Sequence, residues 1–148
     1  MSAIASLHIV KAADLPEIVG AAGEGLAYEA IDRVGRANGD DYAWSGHVML
    51  NVLTSLDELD IMLASPSLQE ASDAINADYD GVTLIDSSAK AFLDRLEPAA
   101  YRPADLVDLA ELGLDDEETG YAMEDTLTLL RDTIAGLADD EVLLLHIG

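Results

Sequence analysis

Apolar and polar positions along this 148-residue chain follow two periods, and the switches between them predict its elements. Residues 3–10 alternate as a strand, with Ile4 and Val10 on one face and Ala5, Leu7 and Ile9 on the other. Asp14, Pro16 and Glu17 then carry an N-cap and capping-box signature, opening a short helix closed off by Gly20, Gly23 and Gly25. A second helix is expected over 24–37, ended by the Asn38-Gly39 turn. A third, over 41–54, places Trp44, Val48 and Val52 at i, i+4 and i+8.

Ser55 with Glu58 reads as another capping box, for a short helix reaching Met62, and Ser67 with Glu70 as one more. Behind the latter, Leu68, Ala71 and Ile75 form a buried stripe. Val82 to Ile85 is an apolar run bounded by Asp80-Gly81 and Asp86-Ser87, which predicts a short strand. Ser87 or Ser88 is expected to cap a helix with Phe92 and Leu96 inward, stopped by Pro98, and Pro103 to start a helix over 103–112. The clearest pattern is a helix over 118–138, where Met123, Leu127, Leu130, Ile134 and Leu137 recur at spacings of 4, 3, 4 and 3. Residues 142–147 are almost wholly apolar, as a central strand is. Both terminal strands are too apolar for an open edge. The expected fold is therefore a single α+β domain over 1–148, with a small, mostly antiparallel sheet that includes both terminal strands and packs against several helices.

Several of these segments resemble the YfbM-like family of uncharacterised bacterial proteins. The similarity lies in the opening SAIASLHIVKAADLPEIV and in DYAWSGHVMLNVLTSL, where Trp44, Gly46 and Leu53-Thr54 match that family's Trp-centred helix. It extends to the closing helix and strand, YAMEDTLTLLRDTIAGLADD and EVLLLHIG. The resemblance implies an α+β fold and no activity, because the family has none established.

Charge narrows the field of partners. Thirty Asp and Glu face seven Lys and Arg, for a formal net charge of −23, on a chain that is 50% apolar and therefore able to build a core. Such a surface repels phosphate backbones and anionic lipid headgroups, so no nucleic acid and no membrane are expected as partners. Basic proteins, cations or polyamines fit the charge. Halophilic solvation explains the same acidity without a partner. There is no cysteine, which removes disulfide, thiolate and Cys-ligated metal chemistry. The first residues lack a positive n-region ahead of an apolar core, so no signal peptide is read and a cytoplasmic location is expected.

Among candidate sites, Asn76, Asp78 and Asp80 with Gly81 occupy positions 1, 3, 5 and 6 of a calcium loop. Position 12 is Ser87 instead of Glu, and an Asx-rich turn entering a strand accounts for the same residues, so no metal or other cofactor is assigned. His8 and His146 approach one another if the terminal strands pair, and His47 could join them from a helix. Trp44, His47 and Asn51 would line a pocket, or Trp44 would anchor the core with its indole N–H satisfied nearby. No nucleophile elbow or phosphate loop is present, which weighs against an enzyme.

The remaining feature is an acidic surface made by Asp105, Asp108 and Glu111 with Asp115, Asp116, Glu117 and Glu118. The resulting expectation is a non-enzymatic interaction module, inhibitor- or immunity-like, that meets a basic protein surface as a monomer or homodimer. The alternative is a small-molecule or metal-dependent activity around Trp44 and His47.

Overall fold

Both ends of the chain enter one sheet. The structure, a computed structural model, describes residues 3–38, 42–102 and 113–148. Strands β1 (Ala5–Lys11), β2 (Arg36–Asn38), β3 (Val82–Asp86) and β4 (Glu141–Ile147) lie in the order β2-β1-β4-β3, and every neighbouring pair is antiparallel. The terminal strands pair along their whole length, Ala5 opposite Ile147 and Lys11 opposite Glu141. The α+β class and the central pairing of the two terminal strands are as the sequence predicts.

Helices cover both faces, which explains why Val142 to Leu145 is apolar without alternation. Leu143 and Leu145 join Leu7, Ile9 and Ile85 under α3 (Gly46–Glu58) and α5 (Asp116–Ala135). Val142 and Leu144 join Val10, Val82 and Leu84 under α1 (Leu15–Ala22), α2 (Ala27–Val34) and α4 (Gln69–Asn76). Fully burying one such side chain contributes about 1.5–3 kcal/mol, so β4 anchors both layers at once. No helix among the described residues is long and apolar enough to cross a membrane.

Helix α5 forms as its sequence demands. Glu118 N donates to Asp115 Oδ1 at 2.8 Å and Asp115 N to Glu118 Oε1 at 3.2 Å, a reciprocal cap that starts the helix slightly earlier than expected. Met123, Leu127, Leu130, Ile134 and Leu137 are all buried along one face.

The capping boxes expected from the sequence do not form. Asp14 belongs to a 3-10 turn (Ala12–Asp14) that runs straight into α1, and its side chain caps nothing; Glu17 pairs instead with Arg33 at 3.0 Å. Ser55 and Glu58 lie within α3, which continues unbroken until Leu59 and the positive φ of Asp60 (63°) stop it. A 3-10 turn (Pro66–Leu68) feeds α4 without a side-chain cap, although Leu68, Ala71 and Ile75 pack inward as expected. Beyond β3 the cap is Asp86, whose carboxylate accepts from Ser88 N and Ser88 Oγ, and the turn it opens (Ser87–Arg95) is 3-10 in form.

Helix α2 is much shorter than the expected 24–37. The positive φ of Gly25 (76°) delays its start, and the first helical N–H, that of Ala27, is held by the Asp78 carboxylate at 2.9 Å. It ends at Gly35, where a Cβ would lie 2.7 Å from Ile31 O and 3.2 Å from His8 Cβ, so only glycine lets the chain turn this closely onto β1. The next three residues are β2, a strand the sequence pattern does not predict. Helix α3 likewise begins late: Ser45 is extended and its hydroxyl accepts from His47 N at 3.1 Å. Trp44 therefore precedes the helix and does not continue the Val48–Val52 stripe. The helix predicted over 103–112 lies outside the described residues.

Candidate functional site

The exposed side of α5 is a ridge between two open clefts. Glu117, Tyr121, Glu124, Thr128 and Arg131 recur at spacings of 4, 3, 4 and 3, the same helical period as the buried stripe on the opposite side. One cleft, of about 580 Å3, lies between this ridge and the segment carrying Glu97 and Pro98. The other, of about 600 Å3, lies between α5 and the segment carrying Tyr42 and Trp44. Glu124 and Thr128 line both.

The second cleft is held open by polar contacts. Trp44 Nε1–H donates to Asp125 Oδ2 at 2.8 Å, which fixes the indole across the cleft wall while its ring packs at the margin of the core. Tyr42 Oη lies 2.8 Å from Thr126 Oγ1; since the Thr126 hydroxyl donates to Ala122 O, Tyr42 is the donor. Burial raises the Tyr42 phenol to about 12 against the opposing pull of Thr126, with the charge of Asp125 adding to the rise. Asn38 Nδ2 donates to Thr133 Oγ1 at 2.9 Å and ties β2 to α5. These three bonds position the aromatic wall without using Glu124 or Asp132, which also line the cleft.

The electrostatics is one-sided. Glu97, Asp116, Glu117 and Glu124 line the first cleft, and Glu124, Asp125 and Asp132 the second. Arg131 is the cation among these lining residues, and it is engaged by Glu97 at 2.7 Å and Asp132 at 3.4 Å. Tyr121, 55% exposed, adds an aromatic ring to the first cleft.

The sequence-predicted acids divide by role. Asp115 and Glu118 are exposed and occupied with each other in the cap, whereas Asp116 and Glu117 line the first cleft. Asp105, Asp108 and Glu111 lie outside the described residues. Glu97, Glu124, Asp125 and Asp132 were missed; the period of the ridge could have found Glu124, while Glu97 is brought in only by tertiary packing.

The expected grouping of Trp44, His47 and Asn51 does not occur. His47 and Asn51 do not line the cleft of Trp44, and the Asn51 amide donates to the His47 carbonyl at 2.8 Å within α3. The ring of Trp44 departs because the helix starts only at Gly46.

The calcium-loop residues are likewise committed to the fold. Asn76 Nδ2 donates to Val82 O at 3.0 Å and its Oδ1 accepts from Val82 N at 2.7 Å, while Asp78 caps α2. No cluster of three or more His, Cys, Asp or Glu side chains suited to a metal ion occurs among the described residues.

Of the three histidines, two come together. His8 and His146 share one sheet face on neighbouring strands, beside a small cavity. His47 belongs to α3 on the opposite side of the sheet, so the three do not converge. In comparisons with family models, curated proteins and solved structures, the chain matches none.

Proposed function

We propose that the protein is an interaction module whose acidic α5 ridge receives a basic segment of a protein partner. One observation carries this reading: among the described residues, the two clefts flanking Glu124 are lined by six carboxylates against a single arginine, which is already paired. A surface that only needed solvation would not require its acids to converge beside the exposed ring of Tyr121 and the half-buried ring of Trp44. Tyr121 and Trp44 supply flat surfaces over which guanidinium or ammonium groups stack, and the carboxylates supply their hydrogen-bond acceptors. Charge complementarity of this kind speeds encounter and selects the partner more than it adds affinity. Membership of the YfbM-like group is part of the proposal and contributes no activity to it.

The test is a nuclear magnetic resonance titration with a short arginine-rich peptide at low salt. Amide shifts concentrated on residues 116–132 and on Tyr42 and Trp44 support the proposal. Shifts spread evenly over Glu70, Asp73, Asp139 and the other exposed acids would reject it in favour of diffuse charge.

A further inference from the structure

On the sheet face beneath α2, opposite the α5 ridge, lies a cavity of about 90 Å3 that opens to solvent on one side, room for a few waters or the head of a small organic molecule. Tyr28 and Asp32 of α2, Tyr79 of the turn before β3, Ser6 and His8 of β1 and His146 of β4 line it. We infer that this cavity is a binding site for a primary alkylammonium group, held between the Tyr28 and Tyr79 rings, the Asp32 carboxylate and the His8 imidazole.

The aromatic walls are already arranged. The Tyr28 and Tyr79 rings meet nearly perpendicular, 69° apart with centroids at 5.7 Å, and so form two sides of a corner. The rear of that corner is stiff, because Tyr79 stacks on His146 at 3.9 Å and 10°. Tyr28 remains 57% exposed at the mouth, a large ring left where an incoming alkyl cation can cover it. Ring faces attract cations through their quadrupole, and ammonium groups are held best where the rings are partly desolvated.

The polar groups favour the same class. His8 Nδ1 is buried and has no hydrogen-bond partner, the sole such side-chain atom among the described residues. A buried ring nitrogen in this condition wants a donor or acceptor brought in from outside. Asp32 lines the same cavity as an acceptor, and among the described residues no Lys or Arg does, so an anion would meet repulsion where a cation meets attraction. His146 does not oppose the cation: burial keeps its imidazole below the ordinary histidine value, despite the opposing hydrogen bond with the Asp80 backbone and the Asp80 charge. A metal ion fits poorly, because no three-ligand cluster is present among the described residues. The ligand needs N–H donors for His8 and Asp32, together with a short alkyl chain for the rings. A free diamine and a lysine side chain both present that chemistry.

The experiment follows amide signals and the imidazole 15N signals of His8 as n-butylammonium chloride is added, with potassium chloride and tetramethylammonium chloride at equal ionic strength as controls. Saturable shifts at Tyr28, Asp32 and Tyr79 are expected, with movement of His8 Nδ1 that neither control reproduces. Asp32→Asn should weaken butylammonium binding about tenfold, the loss of one charge-assisted hydrogen bond, and Tyr28→Ala should weaken it too. Both positions are exposed, so neither change threatens folding. Putrescine binding more tightly than Nα-acetyl-lysine amide identifies a free amine as the source, and the reverse order a protein lysine. Shifts equal to those with potassium, or an unmoved His8 nitrogen with Asp32→Asn binding like the wild type, would overturn the inference and leave a cavity that holds only water.

Discussion

The Asn76 carboxamide closes on Val82 from both sides, donating to its carbonyl and accepting from its N–H, so that one side chain takes the place of a neighbouring strand. β3 is the outer strand of the sheet, and its exposed backbone would otherwise be a template for pairing with another chain. Ser65 completes the cover: its N–H donates to Leu84 O at 3.0 Å, and its hydroxyl accepts from Asp86 N at 2.8 Å. Asn76→Ala should cost about 1–3 kcal/mol in urea unfolding, because both Val82 groups lose their partner. The variant should also self-associate with rising concentration, visible by light scattering. Unchanged stability and scattering would remove the role of edge cover from Asn76.

The acids at the start of α5 should separate by function. Asp115→Ala removes the N-cap and should lower stability by about 0.5–2 kcal/mol, while leaving the affinity for a basic peptide nearly unchanged. Asp116→Ala and Glu117→Ala should do the opposite, since both line the first cleft and neither makes the cap. Paired unfolding and peptide-binding measurements on the three variants check this division.

Stability should fall in two steps on acidification. His146 has a folded pKa below its unfolded value, so its contribution is fully present above the ordinary histidine range and is lost as pH falls through the lower folded value. Asp86 is pushed up by burial but held lower overall by hydrogen bonds from Ser88 and Ser65. Glu141 is held low by the Ala138 N–H, with burial opposing and Lys11 and Arg36 assisting. Their contributions persist above the ordinary carboxylate range and are lost below it. Thermal melts of His146→Phe, which keeps a ring against Tyr79, should show a flatter slope than the wild type between neutral pH and pH 5, with the lower step intact. Identical slopes in the two proteins would contradict this assignment.

Much of the fold is legible in the sequence where a period persists. The stripe from Met123 to Leu137 and the apolar runs of the terminal strands leave little choice of element, and pairing the two strands follows from their need for cover on both sides. β2 was hidden because Arg36, Ala37 and Asn38 carry no alternation; β1 supplies the pairing that makes them a strand. The short-range capping signatures failed because Ser or Asp three residues before Glu recurs freely in so acidic a chain. The cap that starts α2 comes instead from Asp78, 51 residues away.

The candidate site was readable only in part. The acids at 115–118 were found as a run, and Glu124 lay within reach of the same helical period. Its clefts needed Glu97 and Trp44, which packing brings in from distant segments. Trp44 was singled out for its type, but its neighbours were misread because the helix start was placed too early.

Trp44 is the chain's one tryptophan and stands in the wall of the second cleft, so its fluorescence reads the occupancy of that cleft directly. The decisive measurement is a fluorescence titration with a short arginine-rich peptide over a range of salt, comparing the wild type, the Glu117→Lys/Glu124→Lys variant and a control of equal charge, Glu70→Lys/Asp73→Lys. An acidic ridge that receives basic segments predicts saturable change in Trp44 emission that weakens with salt. Reversal of Glu117 and Glu124 should lower affinity about tenfold at low salt, as two exposed ion pairs turn repulsive, while the control binds nearly as the wild type does. Equal weakening in both variants, or no saturable change in Trp44 emission, would contradict the account and show the charge to be a solvating one.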